Sequence, residues 1–229
     1  YYSNSMKQLD WKDEAEFFNK LKDRYVDGLE FCRIAYDLFE YVKEHDQDGY
    51  ELRKRPRNIK ELIEEILPIS VYVRTKYRLG NYIQVCWTSR TARFDAEIKV
   101  MEESYFLEVT CAVHPKEYLV RELLNKQGYC YAADGVKKIG RDIITECISY
   151  DNPSFIEHFV DLIALRIHKK MRKNYPENTI LVICCELDIG DFSKEWNILE
   201  EKVRALNIEH NFKEIFIYDS STEKSFTMS

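Results

Sequence analysis

Thr179-Ile180-Leu181-Val182-Ile183-Cys184-Cys185 runs for seven residues without a charge. Successive side chains of a strand point to opposite faces, so a strand with one wet face alternates. One that does not alternate is apolar on both faces, and both must be covered. This run therefore asks for a sheet with helices on each side, which is the α/β class. The residues after it agree. Phe192 to Leu206 has a helical period, with Trp196, Leu199, Val203 and Leu206 inward, and Ile215-Phe216-Ile217-Tyr218 is a further strand. Strand, helix and strand at this spacing make a parallel crossover.

Upstream lies a different pattern. In Phe94-Asp95-Ala96-Glu97-Ile98-Lys99-Val100, the residues Phe94, Ala96, Ile98 and Val100 share one face and Asp95, Glu97 and Lys99 the other. In Tyr105 to Val113 the apolar face is Leu107, Val109, Cys111 and Val113, opposite Glu108 and Thr110. With Met101-Glu102-Glu103-Ser104 as the hairpin loop, Glu97 faces Glu108 and Asp95 faces Thr110. Like charges directly across a ladder destabilise it. A hard cation held by carboxylate oxygens would account for Asp95, Glu97 and Glu108 together; a solvated face with splayed side chains is the alternative.

The remaining chain punctuates itself. Residues 10–46 carry Phe17, Phe18, Leu21, Phe31, Ile34, Leu38 and Val42 near a 3.6 period, with a cap at Asp10 or Asp13 and a break at Gly28. A basic connector, Arg53 to Asn58, leads to a short helix from Ile59 to Leu67, ended by Pro68. Val71, Val73 and Tyr77 begin a β region, with a turn at Gly80-Asn81 and a strand from Tyr82 to Trp87. Pro115 introduces a helix over 116–127 that Gly128 ends. Ile139, Ile143, Ile144, Cys147 and Ile148 suggest another, starting after Gly140, and Asp151-Asn152-Pro153 starts one reaching Asn174. The expected organisation is a cloning remnant over 1–5, a helical appendage over 6–50 and a mixed-sheet α/β core over 58–229.

Composition narrows the function classes. No run approaches the ~20 apolar residues of a membrane helix, and no secretory signal is visible. Seven cysteines, without a CxxC pair, read as reduced buried thiols in a cytoplasmic protein and not as a zinc site. The net charge of −6 does not suit a general nucleic-acid coat protein. Two local runs are basic all the same. Arg53-Lys54-Arg55-Pro56-Arg57, with Lys60, and Arg166 to Lys173, which includes Lys169 and Lys170, are candidate phosphate-binding patches or the solvated faces of helices.

In element order, and with acids on a meander hairpin, the chain resembles the PD-(D/E)XK nuclease superfamily, the restriction-endonuclease-like fold. Asp95 matches the first acid of its motif, and Glu108, after twelve intervening residues, the second. The resemblance covers residues 59–219 in element order and 94–110 in motif. It implies an αβββαβ core and hydrolysis of phosphodiester bonds in DNA or RNA with Mg²⁺ or Mn²⁺. The metal would be held by Asp95, Glu108, Glu97 and the Val109 carbonyl. Phe94 stands where the motif has Pro. Thr110 stands where it has the Lys expected to orient water or stabilise charge on the phosphate. A similar Glu-Val-Thr occurs in viral cap-snatching endonucleases of the superfamily, in which a helix supplies the Lys. Lys126 on the helix after the motif strand is the expected replacement here, with Lys99, Lys116, Arg121, Lys137 and Lys138 as alternatives. Of Glu61, Glu64 and Glu65, Glu65 is the expected third acid. Many proteins of this fold dimerise, so a second copy of the chain is a candidate partner besides nucleic acid.

Other signals read as structural. His114 is expected in ordinary hydrogen bonding, Tyr129 and Tyr131 in packing, and Cys184-Cys185 as small apolar residues; Asp134-Gly135 with Gly140 is too sparse for a phosphate loop. Two rival functions stand beside the nuclease: an inactive member of the fold that binds nucleic acid or protein, and a small-molecule α/β enzyme.

Overall fold

The computed structural model describes residues 11–46, 48–77, 82–88, 92–148, 152–186 and 193–229. The turn at Gly80-Asn81, the cap at Asp151, the remnant over 1–5 and Phe192 lie outside them. Along the chain come α1 (Trp11–Leu21), β1 (Val26–Asp27), α2 (Gly28–His45), α3 (Tyr50–Lys54) and α4 (Arg57–Glu61). A π turn (Leu62–Ile66) runs into α5 (Leu67–Lys76), followed by β2 (Ile83–Trp87), β3 (Ala96–Val100), β4 (Glu103–Ala112) and α6 (Glu117–Gln127). Then come β5 (Val136–Ile139), β6 (Asp142–Thr145), α7 (Asn152–Met171), β7 (Thr179–Cys185), α8 (Ser193–Ala205), β8 (Glu214–Asp219) and β9 (Ser225–Met228).

Seven strands form one mixed sheet in the order β1-β2-β3-β4-β7-β8-β9. β1 to β4 are antiparallel neighbours, β4, β7 and β8 run parallel, and β9 returns antiparallel on the edge. All seven residues of β7 are buried, as its uninterrupted apolar run requires. Ile180, Val182 and Cys184 join one core with α2, α5 and the π turn; Leu181, Ile183 and Cys185 join the other with α7 and α8. The chain is a mixed α/β protein. Among the described residues no helix is long and apolar enough to cross a membrane.

Several expectations change. The N-terminal helices, expected as an appendage over 6–50, share the main core: Phe31, Ile34, Leu38 and Val42 of α2 cluster with Leu107 and Val109 of β4. β1 also pairs with β2. Pro68 does not end a helix. It sits in the first turn of α5, just after the π turn, whose wider bore relieves the collision between a proline ring and the preceding turn. Val71 and Val73 are therefore helical rather than the start of a β region. Residues 136–145 form the β5–β6 hairpin instead of a helix: Ile143 packs with Val136, Leu119 and Leu123 while Ile139 and Ile144 are exposed, so the isoleucines share no buried helical stripe. Leu206 lies past the end of α8 and is exposed. Gly128 does close α6, in the left-handed region at φ 78°.

Candidate functional site

The β3–β4 hairpin brings the two motif acids together. Its turn is Met101-Glu102, with Met101 at φ 56°, because Glu103 and Ser104 join β4. The register is thus displaced by two residues from the expected one. An even displacement keeps every side chain on its face and changes only its partner. Ala96 pairs with Leu107, and Asp95 N–H donates to the Leu107 carbonyl at 2.8 Å, so Asp95 stands across from Glu108. Glu97 pairs instead with Phe106 and accepts from the Ser104 hydroxyl at 2.9 Å.

Asp95 and Glu108 line a cleft of about 780 Å³. Burial, then the charge of Glu108, pushes the Asp95 carboxyl up to about 7 against the pull of the Val109 N–H, which donates to Oδ2 at 2.7 Å. Glu65 raises it further and Lys170 lowers it. Glu65 reaches the same cleft from the π turn, and its Oε2 accepts from Trp87 Nε1 at 3.1 Å. Such turns often lie at functional positions. Glu108 is 5% exposed. It accepts from Lys170 Nζ, and Lys173 Nζ stands 3.7 Å from the same oxygen. Lys170 Nζ also donates to the Val109 carbonyl at 3.1 Å. Burial first, and then Glu108, holds the Tyr175 phenol above its ordinary range, so it keeps its proton.

Lys170 is the cation beside the second acid. It follows the buried stripe of Ile163 and Ile167 on α7, and the three-residue step from Ile167 keeps it on the face packed against β4. The sequence places it only in a basic run, because nothing local says that α7, rather than α6, covers the motif strand. Lys126 is exposed near the end of α6 and does not line the cleft. Thr110, half-buried on the face of β4 that carries Glu108, does not line it either.

Basic residues expected to bind phosphate divide into two groups. Arg53 donates to Asn125 Oδ1 at 2.6 Å, Arg57 pairs with Glu61 at 3.2 Å, and Arg55, largely buried, pairs with Glu186 at 2.8 Å and with Glu64 at 3.4 Å. These are engaged within the fold. Lys54 lies over the Tyr50 ring and Lys169 is exposed; neither lines the cleft. Among the described residues, the cations that do line it are Lys60, Arg93 and Lys173. Tyr129 and Tyr131, expected in packing, are exposed.

Among the described residues, one group gathers three metal-capable atoms within 4.8 Å of one another: His114, Asp134 and His158. Glu65, Asp95 and Glu108 do not meet that spacing, and Trp87, the Val109 N–H and Lys170 each hold one of these carboxylates. No family model, curated protein or solved structure matches the chain.

Proposed function

We propose that the chain is a metal-dependent, nuclease-like phosphodiester hydrolase of the restriction-endonuclease-like kind, acting in the Asp95–Glu108 cleft. The observation that carries this reading is the meeting of Asp95 and Glu108 across one hairpin, with Lys170 on the second carboxylate. The residues fit a hard divalent ion such as Mg²⁺ or Mn²⁺. Asp95 near 7 is a carboxylate whose negative charge its own donors leave undercompensated, and Glu108 and Glu65 add oxygens of the same kind. When bound, the ion would lower the pKa of a water and neutralise charge on the phosphate.

The chain's own groups supply the rest. Lys170, fixed at both Glu108 and the Val109 carbonyl, takes the part of the motif's missing Lys beside the second acid. A preorganised donor of that kind is worth ~2–4 kcal/mol. Lys60, Arg93 and Lys173 on the cleft wall receive the nucleic-acid backbone, which is where phosphate contacts position a substrate.

One observation favours the inactive relative: Glu108 is already neutralised by Lys170 and Lys173, and Thr110 brings no further cation. A single experiment separates the two readings. Labelled single- and double-stranded DNA and RNA are incubated with Mn²⁺ or EDTA and with wild type or Asp95→Ala. Metal-dependent cleavage that disappears in the variant is expected, and the substrate cut assigns DNA or RNA. Binding without cleavage of any substrate would leave the module reading.

A further inference from the structure

A second cleft, of about 970 Å³, lies outside the carboxyl ends of the parallel strands: Val113 and His114 follow β4, Glu186 follows β7, Ser220 and Ser221 follow β8, and all line it. Open α/β sheets bind ligands at that end. Its walls are largely apolar, with Leu67, Val71, Phe155 and Phe159, and a few polar groups converge at one place, as in small-molecule sites. That place is the group His114, Asp134 and His158.

These three come from the end of β4, the turn ahead of β5 and the second turn of α7, so only the fold assembles them. The two imidazole rings lie 5.2 Å apart, centroid to centroid, and His114 Nε2 is 2.8 Å from Asp134 Oδ1. His158 Nε2 is buried without a hydrogen-bond partner among the described residues. A buried nitrogen of that kind normally has a partner, and its lack of one asks for an explanation. Two imidazoles and a carboxylate are the donor set of borderline metals, Zn²⁺ above all, and not of Mg²⁺. Three protein ligands leave a fourth position free, and all three of these residues line the cleft.

We propose that His114, Asp134 and His158 bind a divalent transition metal, Zn²⁺ by their chemistry, with an open coordination position turned into the cleft for water or an anionic group of a small molecule. The site is separate from the acidic cleft and does not rest on the nuclease reading. Lys116 N–H donates to His114 Nδ1 at 3.1 Å, which leaves the proton on Nε2 towards Asp134. Ligation through Nε2 takes the other tautomer and gives that contact up, and it requires both imidazoles to be neutral.

The test is calorimetric titration of the EDTA-stripped full chain with Zn²⁺, for wild type, His158→Ala, Asp134→Asn and Asp95→Ala. Co²⁺ is used as a visible probe in parallel. One ion per chain at a micromolar Kd or tighter, beyond any that the Asp95 cleft takes up, is expected in wild type and is kept in Asp95→Ala. His158→Ala should weaken it about 100-fold or more, and Asp134→Asn, which keeps shape and an acceptor oxygen, about 10-fold or more. The cobalt spectrum should lack thiolate charge transfer, which rules out the cysteines as ligands. Wild-type affinity weaker than about 100 μM, equal affinity in His158→Ala, or a thiolate band would overturn the proposal.

Discussion

Asp95 carries two opposed demands. Its carboxyl is raised to about 7 from an ordinary value of 3.8, so the folded protein holds a proton that the unfolded chain has lost between those pH values. Stability from that proton is present at low pH and disappears as pH rises through about 7. Asp95→Asn keeps an oxygen to accept the Val109 N–H and removes the charge. It should therefore be more stable than wild type at pH 8, by up to about 4 kcal/mol at 1.4 kcal/mol per pH unit, and less so at pH 5. Urea unfolding at the two pH values checks both the sign and the narrowing. The same variant should abolish Mn²⁺-dependent cleavage, the trade of function for stability expected where strain serves chemistry. In the wild type, Mn²⁺ affinity should fall as pH is lowered through about 7, because the metal needs the ionised carboxylate. A flat binding profile between pH 6 and 8 would remove Asp95 from the ligand set.

At the scale of elements, α7 replaces a residue that β4 lacks. Lys170→Met should lower cleavage about 10²–10³-fold and also destabilise the protein, since it leaves Glu108 buried with only the exposed Lys173 nearby. Thr110 stands two residues beyond Glu108 on the same face of β4. Adding Thr110→Lys to Lys170→Met should return part of the activity by restoring the cation to the motif strand. Single-turnover rates of the three proteins decide it, and no recovery in a folded double variant would count against Lys170 as the stand-in. A purely structural prediction belongs to α2. A Cβ on Gly28 would meet Ile83 Cγ1 at 2.4 Å, so Gly28→Ala should cost about 1–3 kcal/mol through overpacking, measured by thermal unfolding.

Across the whole molecule, the two clefts sit at opposite ends of the parallel strands. The acidic one opens beside Lys173, Asn174 and Tyr175, which lead into β7, and the larger one beside Glu186, which leaves it. A chain of net charge −6 meets a polyanion through local cations, and Lys173, with 60% of its side chain exposed, is one of those that line the cleft. Lys173→Ala should weaken nucleic-acid binding uniformly across sequences and reduce its salt dependence by about one unit of slope. Fluorescence anisotropy at several salt concentrations reads both quantities.

The sequence alone determined what depends on nearest neighbours and on period. The charge-free run of β7 required helices on both sides of a sheet, and the alternation of Phe94 to Val113 put Asp95 and Glu108 on one face. Because the strand period is two, a register misplaced by two residues still preserved the candidate pair. What the sequence could not determine was which distant element covers which face. α6 and α7 are both amphipathic helices downstream of β4, and near their ends α6 carries Lys126 and α7 carries Lys169 and Lys170. Only the packing of Ile163 and Ile167 under the sheet sends Lys170 rather than Lys126 to Glu108. Tertiary structure also assembled His114, Asp134 and His158, which no short spacing joins. It drew the N-terminal helices into the main core too, because burial rewards any apolar face that reaches the sheet, wherever in the chain it begins.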